Sequence, residues 1–168
     1  MVICHMKRLL IIWHSLTGGT EQMVQAVAAG AAEEVGIETW LLPARLVRPA
    51  DVLAADGLVF AMPETLASMS GFMKDFFDRC YYPLLGAIEG RGYANLVCAG
   101  SDGTAAVNQL ARIVKGWRLR ELAPPLIIHT GAQTQTAILA PKMISKADLL
   151  RCRELGTMLA AGLTMGMF

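Results

Sequence analysis

Hydroxyl and glycine residues are concentrated in one short stretch near the start of the chain. It comprises Ser15, Leu16, Thr17, Gly18, Gly19 and Thr20. The stretch follows an apolar run that ends at Trp13 and precedes a helical pattern that begins near Glu21. A helix start offers unpaired N–H groups and the positive end of the helix dipole, and both favour an anionic phosphate. Glycines let the backbone come close to a ligand, and hydroxyls add donors. Because the loop has no Lys or Arg, we predict that neutral donors hold this phosphate.

Apolar runs alternate with helical patterns along the chain, which is typical of βαβ units and a parallel sheet. Short, nearly continuous apolar runs predict strands buried on both faces. We predict five strands, Arg8–His14, Thr39–Pro43, Gly57–Ala61, Ala94–Ala99 and Leu126–Thr130. Helices are predicted from Thr20 as N-cap to Gly36, then at Pro49–Ala55, Ser68–Cys80, Thr104–Lys115 and Lys146–Leu163, the last capped by Ser145. The pattern indicates one α/β domain over residues 1–168, with a doubly wound sheet and helices on both faces.

Ligands of doubly wound sheets bind beyond the carboxyl ends of the strands. Two further loops follow predicted strands at that edge, Met62–Gly71 after the third and Gly100–Thr104 after the fourth. Both are small, polar or glycine-bearing. Three compatible loops at one sheet edge predict a single binding site built from all of them.

Composition excludes several classes of protein. The net charge of +1 gives no excess that would favour nucleic acid or an anionic membrane surface. The four cysteines form no CxxC pair, which indicates reduced thiols and a cytoplasmic protein rather than a disulfide framework or a zinc site. The start of the chain does not have the pattern of a signal peptide, and the apolar runs are too short to insert in a membrane.

Ser15, Leu16, Thr17, Gly18, Gly19 and Thr20 match the Ser/Thr-x-Thr-Gly-x-Thr pattern of flavodoxin-like FMN proteins. The segments Ala55–Pro63 and Met69–Asp78 resemble the corresponding part of the NAD(P)H:quinone oxidoreductase and NADPH-dependent FMN reductase branch. The resemblance spans most of the chain from Arg8 onward. It implies a five-stranded parallel sheet of order 2-1-3-4-5.

The resemblance also implies an FMN site. The first loop would hold the phosphate. Pro63, Glu64, Thr65, Leu66, Ala67 and Ser68 would lie along the isoalloxazine ring, and Ala99, Gly100, Ser101, Asp102 and Gly103 would cover its other edge. The Glu64 carboxylate would then disfavour an anionic reduced flavin. The implied reaction is hydride transfer from NAD(P)H through FMN to a quinone-like acceptor, with no catalytic side chain and no metal, in a homodimer or homotetramer.

Two functions from different classes stay open. Small electron-carrier flavodoxins often sandwich the ring between Trp and Tyr and are acidic, whereas these loops lack aromatic residues and the chain is near neutral. Those features favour the reductase. The alternative is a non-enzymatic electron carrier or flavin-binding protein, and a degenerate member without flavin is a third. Phosphoacceptor receiver, P-loop, dinucleotide-fingerprint and Cys-x5-Arg phosphatase patterns are all absent from the expected places.

Several other residues receive structural interpretations. We expect His14 and His129 to be satisfied structural histidines, His5 to lie in a terminal segment, and Phe72, Phe76 and Phe77 to be core. Cys80 and Cys98 are predicted to be inert buried thiols. The basic run Arg112, Lys115, Arg118 and Arg120 is predicted to be a solvated face rather than a site for the NADPH 2′-phosphate. For Tyr81 and Tyr82, which follow the predicted helix Ser68–Cys80, a subunit interface or a neighbouring flavin is kept as an alternative. The apolar tail Met158–Phe168 is either a core helix end or an oligomer contact.

Overall fold

A computed structural model describes residues 6–168, so Cys4 and His5 lie outside the described residues. The strands are β1 (Lys7–Trp13), β2 (Ile37–Pro43), β3 (Gly57–Pro63), β4 (Gly92–Ala99), β5 (Arg120–Glu121) and β6 (Leu126–His129). The helices are α1 (Gly19–Ala31), α2 (Pro49–Leu53), α3 (Gly71–Leu84), α4 (Thr104–Gly116), α5 (Gln135–Leu139) and α6 (Lys146–Thr164). A short 3-10 turn, Ala44–Leu46, follows β2.

The strands form one parallel sheet in the order β2-β1-β3-β4-β5, and β6 also pairs with β4. The predicted doubly wound sheet and its 2-1-3-4-5 order are thus confirmed. The fifth position is not one strand, however. Two segments, β5 and β6, pair with the start and the end of β4. Pro124 and Pro125 lie between them, and prolines cannot donate to a ladder.

Alternate strand residues point to opposite faces, so the sheet buries two cores. In β1, Leu9 and Ile11 face α1 and α6, whereas Leu10 and Ile12 face α2 and α3. On the first face the helices approach closely, because a Cβ on Gly156 of α6 would lie 2.0 Å from the Val27 carbonyl oxygen. This backbone contact holds α6 against α1 and fixes where α1 begins beside the sheet.

The other face is filled by aromatic rings. Phe60 of β3 lies 5.1 Å from Phe77 of α3, and Phe77 lies 5.1 Å from Trp117, both measured between ring centroids. Phe76 is also fully buried here, as predicted. Phe72 is not core, since half of it is exposed. Phe72 lies in the first turn of α3, one turn before the buried Phe76, where the helix extends beyond the end of the sheet.

The predicted helix ends need two corrections. Thr20 is not the N-cap of α1; Gly18 is, in the left-handed conformation, and Thr20 is buried in the first turn. Gly36 does not end that helix either, because α1 stops at Ala31. Gly36 does have a positive φ of 89°, but it turns the chain into β2. Ser145 caps α6 as predicted, with Oγ accepting from the Asp148 N–H.

Three further features differ from the prediction. β2 is half-buried along its length, because it is the edge strand of the sheet. Helix α3 begins at Gly71 rather than near Ser68 and continues past Cys80 to Leu84. Helix α5 was not predicted. It lies in the segment after β6, where the sequence is polar and rich in hydroxyls.

The described cysteines are free and buried, and burial raises the pKa of the Cys80 thiol to about 11 and that of Cys152 to about 12. The prediction of buried thiols at Cys80 and Cys98 is confirmed. No helix in the described part of the chain is long and apolar enough to cross a bilayer. Within residues 6–168, no group of three or more His, Cys, Asp or Glu side chains is placed to hold a metal ion.

Candidate functional site

The three predicted loops meet at the carboxyl edge of the sheet and enclose a cleft of about 380 Å³. Leu16 and Thr17 come from the first loop, Pro63 to Leu66 from the second, and Ala99 and Gly100 from the third. Cys98 at the end of β4 also lines the cleft, and so do Thr130, Ala132, Ile138 and Lys142, which come later in the chain. Those four follow the last strand and were missed by sequence reasoning. The signal was present, because every loop after a parallel strand reaches this same edge.

The first loop presents free N–H groups. Gly18 donates its N–H to Ser15 Oγ at 3.1 Å, which closes the loop into a tight turn. The N–H groups of Leu16 and Thr17 donate to no described residue, and those of Gly19 and Thr20 have no carbonyl one turn earlier in the helix. Four backbone donors therefore remain at the N-terminus of α1.

Thr20 adds a side-chain donor to this cluster. The residue is 1% exposed, and its hydroxyl has no hydrogen-bond partner among the residues that the structure describes. A buried hydroxyl without a partner costs free energy unless a ligand supplies one. Gly19 beside it is tightly confined, because a Cβ there would lie 2.6 Å from Cys98 Sγ. The backbone of α1 can approach the sheet this closely only with glycine at position 19.

The segment after β6 is fastened to the first loop. Lys142 donates its backbone N–H to the Thr17 carbonyl at 2.7 Å. Gln22 of α1 donates to the Lys142 carbonyl at 2.7 Å and accepts from the Ile144 N–H at 3.1 Å. The Lys142 ammonium lies on the carbonyls of Ala137, Ile138 and Ala140. A cation is therefore present in the lining of the cleft, although the first loop itself contains none.

The second loop is a tight hairpin. Thr65 and Ser68 exchange backbone hydrogen bonds, with the two N–H···O distances 2.9 and 3.1 Å. Leu66 and Ala67 at its tip both have a φ of 52°, where non-glycine residues are strained. Gln109 of α4 holds the base by accepting from Ser68 Oγ and the Met69 N–H. These bonds hold the hairpin in place as one side of the cleft, and Leu66 at its tip is 97% exposed.

Glu64 does not point its charge freely into the cleft. Its carboxylate accepts from the Gly103 N–H at 2.8 Å and the Ala106 N–H at 3.4 Å, at the N-terminus of α4. An acid at a helix N-terminus is stabilised by the dipole and by these donors. That this carboxylate disfavours an anionic reduced flavin stays a prediction, and the positive end of α4 reduces the field that it exerts on the cleft.

The third loop is also built around the start of α4. Gly103 is the N-cap with a φ of 89°, and a Cβ there would lie 2.7 Å from Ile127 Cγ2. Asp102 accepts from the N–H and the hydroxyl of Thr104, and these bonds lower the pKa of its carboxyl group. The ring of His129 bonds the Asp102 carbonyl at 2.7 Å. The N–H groups of Ser101 and Asp102 donate to no described residue.

Comparison with known proteins agrees with this construction. Residues 48–132, about half of the chain, match the family model for NADPH-dependent FMN reductase. The chain belongs to the NADPH-dependent FMN reductase family. It is thus a flavodoxin-like flavoprotein, and FMN is the cofactor that the residues of the cleft would have to bind.

The chain is also similar to individual proteins. It is 35% identical over 108 residues to a flavodoxin of Aquifex aeolicus, covering 63% of this chain and 56% of that protein. It is 33% identical over 94 residues to an NAD(P)H dehydrogenase (quinone) of Acidithiobacillus ferrooxidans, covering 44% and 47%. The matches thus span about half the length of these relatives. The fold resembles an archaeal flavodoxin structure with a TM-score of 0.75 at 16% identity, over 93% of this chain and 98% of that one.

The first loop fits the FMN phosphate on chemical grounds. A phosphate monoester needs several hydrogen-bond donors, and the N-terminus of α1 supplies four free N–H groups together with the unpartnered Thr20 hydroxyl.

The other predicted residues divide into two groups. Ala67 and Ser68 shape the hairpin, whereas Ser101 to Gly103 lead into α4 rather than lining the cleft.

The remaining predicted residues lie elsewhere. The basic run is at the far end of α4, where Arg118 pairs with Glu89 at 3.1 Å, so the interpretation as a solvated face is retained over a cofactor role. Tyr81 and Tyr82 are 40% and 80% exposed near the end of α3, away from this cleft. The prediction that His14 is a satisfied structural histidine is wrong, since its Nδ1 atom is buried and has no partner among the described residues. The helical part of the tail is core, because Leu159 and Leu163 are buried, while Met165 and Met167 are exposed.

Proposed function

We propose that the protein is an FMN-dependent oxidoreductase that takes a hydride from NADH or NADPH and reduces a quinone or a similar small acceptor. The observation that carries this proposal is the lining of the cleft. No aromatic side chain is among the described residues that line it. A hydride donor must lie flat on the ring, and a Trp or Tyr stacked there would occupy that position.

The residues of the chain supply binding, orientation and electrostatics. The free N–H groups of the first loop and the Thr20 hydroxyl hold the phosphate. The N–H groups of Ser101 and Asp102 have no acceptor among the described residues and follow Gly100, the last residue of the third loop that lines the cleft. They would stabilise charge on the polar edge of a ring that extends past Gly100. When bound, FMN would supply the hydride chemistry of the reaction.

The rim of the cleft favours an apolar acceptor. Leu16 is 64% exposed, Leu66 97% and Ile138 51%, and these three side chains belong to three different segments around the cleft. Apolar surface that remains exposed around a ligand cleft favours apolar ligands. A quinone ring has this character, and its carbonyl groups can still accept hydrogen bonds.

An electron-carrier function is the second candidate. The similarity to the Aquifex aeolicus flavodoxin favours it, since that match covers more of this chain than the match to the quinone dehydrogenase. In that case a partner protein would supply the electrons. The protein would still bind FMN, but it would not react with NAD(P)H alone.

Anaerobic spectroscopy separates the two candidates. The protein is mixed with FMN, desalted, and its visible flavin band is recorded before and after addition of NADH or NADPH. The reductase is expected to keep the band after desalting and to lose it rapidly with one of the two nucleotides. Retention of the band until a partner reductase is added would support the carrier instead. Loss of the band on desalting would contradict both.

A further inference from the structure

A second cleft lies beside the hairpin, on its other side from the FMN cleft. It is about 540 Å³ in volume, and its lining includes His14, Arg45, Ser70, Gly71 and Phe72. A smaller adjoining cleft of about 290 Å³ shares His14, Arg45 and Phe72 and adds Trp13. Leu16 and Thr65 line both the FMN cleft and this second cleft. The two spaces therefore meet across these residues.

Unpartnered polar atoms are concentrated around this second cleft. Ser70 is 1% exposed, and its Oγ atom has no hydrogen-bond partner within residues 6–168. Trp13 Nε1 and His14 Nδ1 are also buried and have no partner in the described part of the chain. Serine at an N-cap ordinarily bonds the first turn of its own helix, yet Ser70 makes no such bond to α3. Ser70 and His14 both line the second cleft, and two unpartnered polar groups there indicate that a ligand completes their hydrogen bonds.

Helix α3 adds backbone donors. The N–H groups of Gly71 and Phe72 have no acceptor among the described residues. The space in front of Gly71 is open, because a Cβ placed there would meet no atom within 4 Å. Fourteen residues of helix lie behind this N-terminus, so its dipole favours an anion.

The charges facing the cleft also favour an anion. Arg45 is exposed and forms no ion pair within residues 6–168. Asp75 is an acid in the lining, and Arg79 neutralises it through a 2.7 Å ion pair. Arg79 also donates to the carbonyls of Ala44 and Val47, which holds in place the turn that carries Arg45. Burial lowers the pKa of His14, so near neutral pH its ring contributes a hydrogen bond rather than a charge.

We propose that Arg45, Ser70 and the N-terminus of α3 form an oxyanion-binding site for the acidic end of a substrate that extends from the FMN cleft. Arg45 would pair with the anion, while the Ser70 hydroxyl and the Gly71 and Phe72 N–H groups would donate to it. This site goes beyond the proposed function. The ligand chemistry is a phosphate, sulfonate or carboxylate group, and it can come from a nicotinamide dinucleotide or from an acidic electron acceptor.

Inorganic phosphate titrated into isotope-labelled protein tests the site without relying on activity. The amide resonances of Gly71 and Phe72 are expected to shift on binding, separately from those of Gly19 and Thr20 in the first loop. Arg45→Gln is expected to weaken the response at α3 roughly tenfold, because a charge-assisted hydrogen bond is lost. Arg112→Gln, which removes a charge from an exposed position outside both clefts, is expected to leave it unchanged.

Ser70→Ala distinguishes a ligand group from a merely structural serine. We expect this variant to bind phosphate several-fold more weakly while folding as well as the original. Unshifted Gly71 and Phe72 resonances, or equal phosphate affinity in Arg45→Gln and the original, would overturn the proposal. Unchanged affinity in Ser70→Ala would equally remove the hydroxyl from the site.

Competition identifies the source of the anion. Displacement of phosphate from the α3 resonances by ADP-ribose would assign the site to the dinucleotide. Displacement by a naphthoquinone sulfonate would assign it to the acceptor, and either result supports the proposal. Displacement by neither would refute the extension from the FMN cleft. Because these measurements require no turnover, a failure of the proposed reductase activity would leave their result intact.

Discussion

Helices α1 and α4 begin in the same way but have different electrostatic surroundings. Each starts behind a left-handed glycine, Gly18 at a φ of 84° and Gly103 at 89°, and neither glycine has a side chain to cap its helix. At α4 the chain supplies its own anion, because the Glu64 carboxylate bonds the Gly103 and Ala106 N–H groups. At α1 the Gly18 N–H donates to Ser15 Oγ, a neutral hydroxyl, and no carboxylate of the described residues bonds the helix start. The Gly19 and Thr20 N–H groups have no acceptor among the described residues, nor does the Thr20 hydroxyl have a partner there.

The difference shows why a helix N-terminus alone does not identify a binding site. Both termini lie at the carboxyl edge of the sheet and both attract negative charge. Glu21 in the first turn of α1 accepts no hydrogen bond from the N–H groups of the described residues, so only at α1 are these groups open to the phosphate of a cofactor. The contrast between α1 and α4 therefore supports the proposal that the cofactor phosphate binds at α1.

The largest expected effect comes from giving α1 an anion of its own. Thr17→Glu would place a carboxylate next to the phosphate, and two like charges at about 4 Å in a partly buried site repel by about 4 kcal/mol. FMN affinity should fall roughly a thousandfold, as measured by fluorescence titration. Ala29→Glu adds the same charge on an exposed position of α1 away from its N-terminus and should bind FMN normally. Undiminished affinity in Thr17→Glu would place the phosphate elsewhere.

Removing the anion from α4 is the reverse experiment. Glu64→Ala would leave the Gly103 and Ala106 N–H groups without their acceptor, and the free energy of unfolding should fall by about 2 kcal/mol. Urea denaturation measures the change. Glu154→Ala at an exposed position of α6 should alter stability by less than about 0.5 kcal/mol. If the two variants were equally stable, Glu64 would not be the cap of α4.

Removing one hydroxyl from α1 should have a smaller effect, with opposite signs for stability and binding. Thr20→Val deletes a buried hydroxyl without a partner, so the apoprotein should be as stable as the original or more stable. FMN affinity should nevertheless fall by about tenfold, since a hydrogen bond to a charged group is lost.

Thr39→Val provides the matched control for that measurement. Thr39 also has a buried hydroxyl without a partner, but it lies in the edge strand β2 and lines none of the clefts described. Its replacement should affect stability in the same direction and leave FMN affinity unchanged. Equal FMN affinities in the two valine variants would contradict the role of Thr20.

The smallest expected effect concerns Asp102 at α4. Hydrogen bonds from Thr104 lower the pKa of its carboxyl group below the ordinary value of 3.8. Its stabilising contribution is therefore present above that value and is lost as the pH falls through the lower, folded value. Asp102→Asn should flatten the acid limb of the stability curve below about pH 4. An unchanged limb in thermal melts across that range would show that these bonds do not contribute.

Much of this architecture was predictable because it depends on local patterns. Continuous apolar runs in β1, β3 and β4 predicted strands buried on both faces, and hydroxyls and glycines between β1 and α1 predicted a phosphate loop. The position of Ser145 before α6 also predicted its cap. Helix ends were less accurate, since Thr20 was assigned the capping position that Gly18 holds. A left-handed glycine can replace a side-chain cap, and the sequence pattern does not separate the two.

The sequence by itself determined the order of the elements, the parallel sheet and the place of the first loop, because these follow from periodicity and from residues that are neighbours in the chain. Only the tertiary structure decided which helix N-terminus is free. Glu64 reaches α4 from 39 positions earlier in the chain, and Lys142 meets Thr17 across an even longer separation. Such contacts depend on where the folded chain brings distant residues together. The orphaned atoms of Ser70 and His14 are likewise visible only once their surroundings are packed.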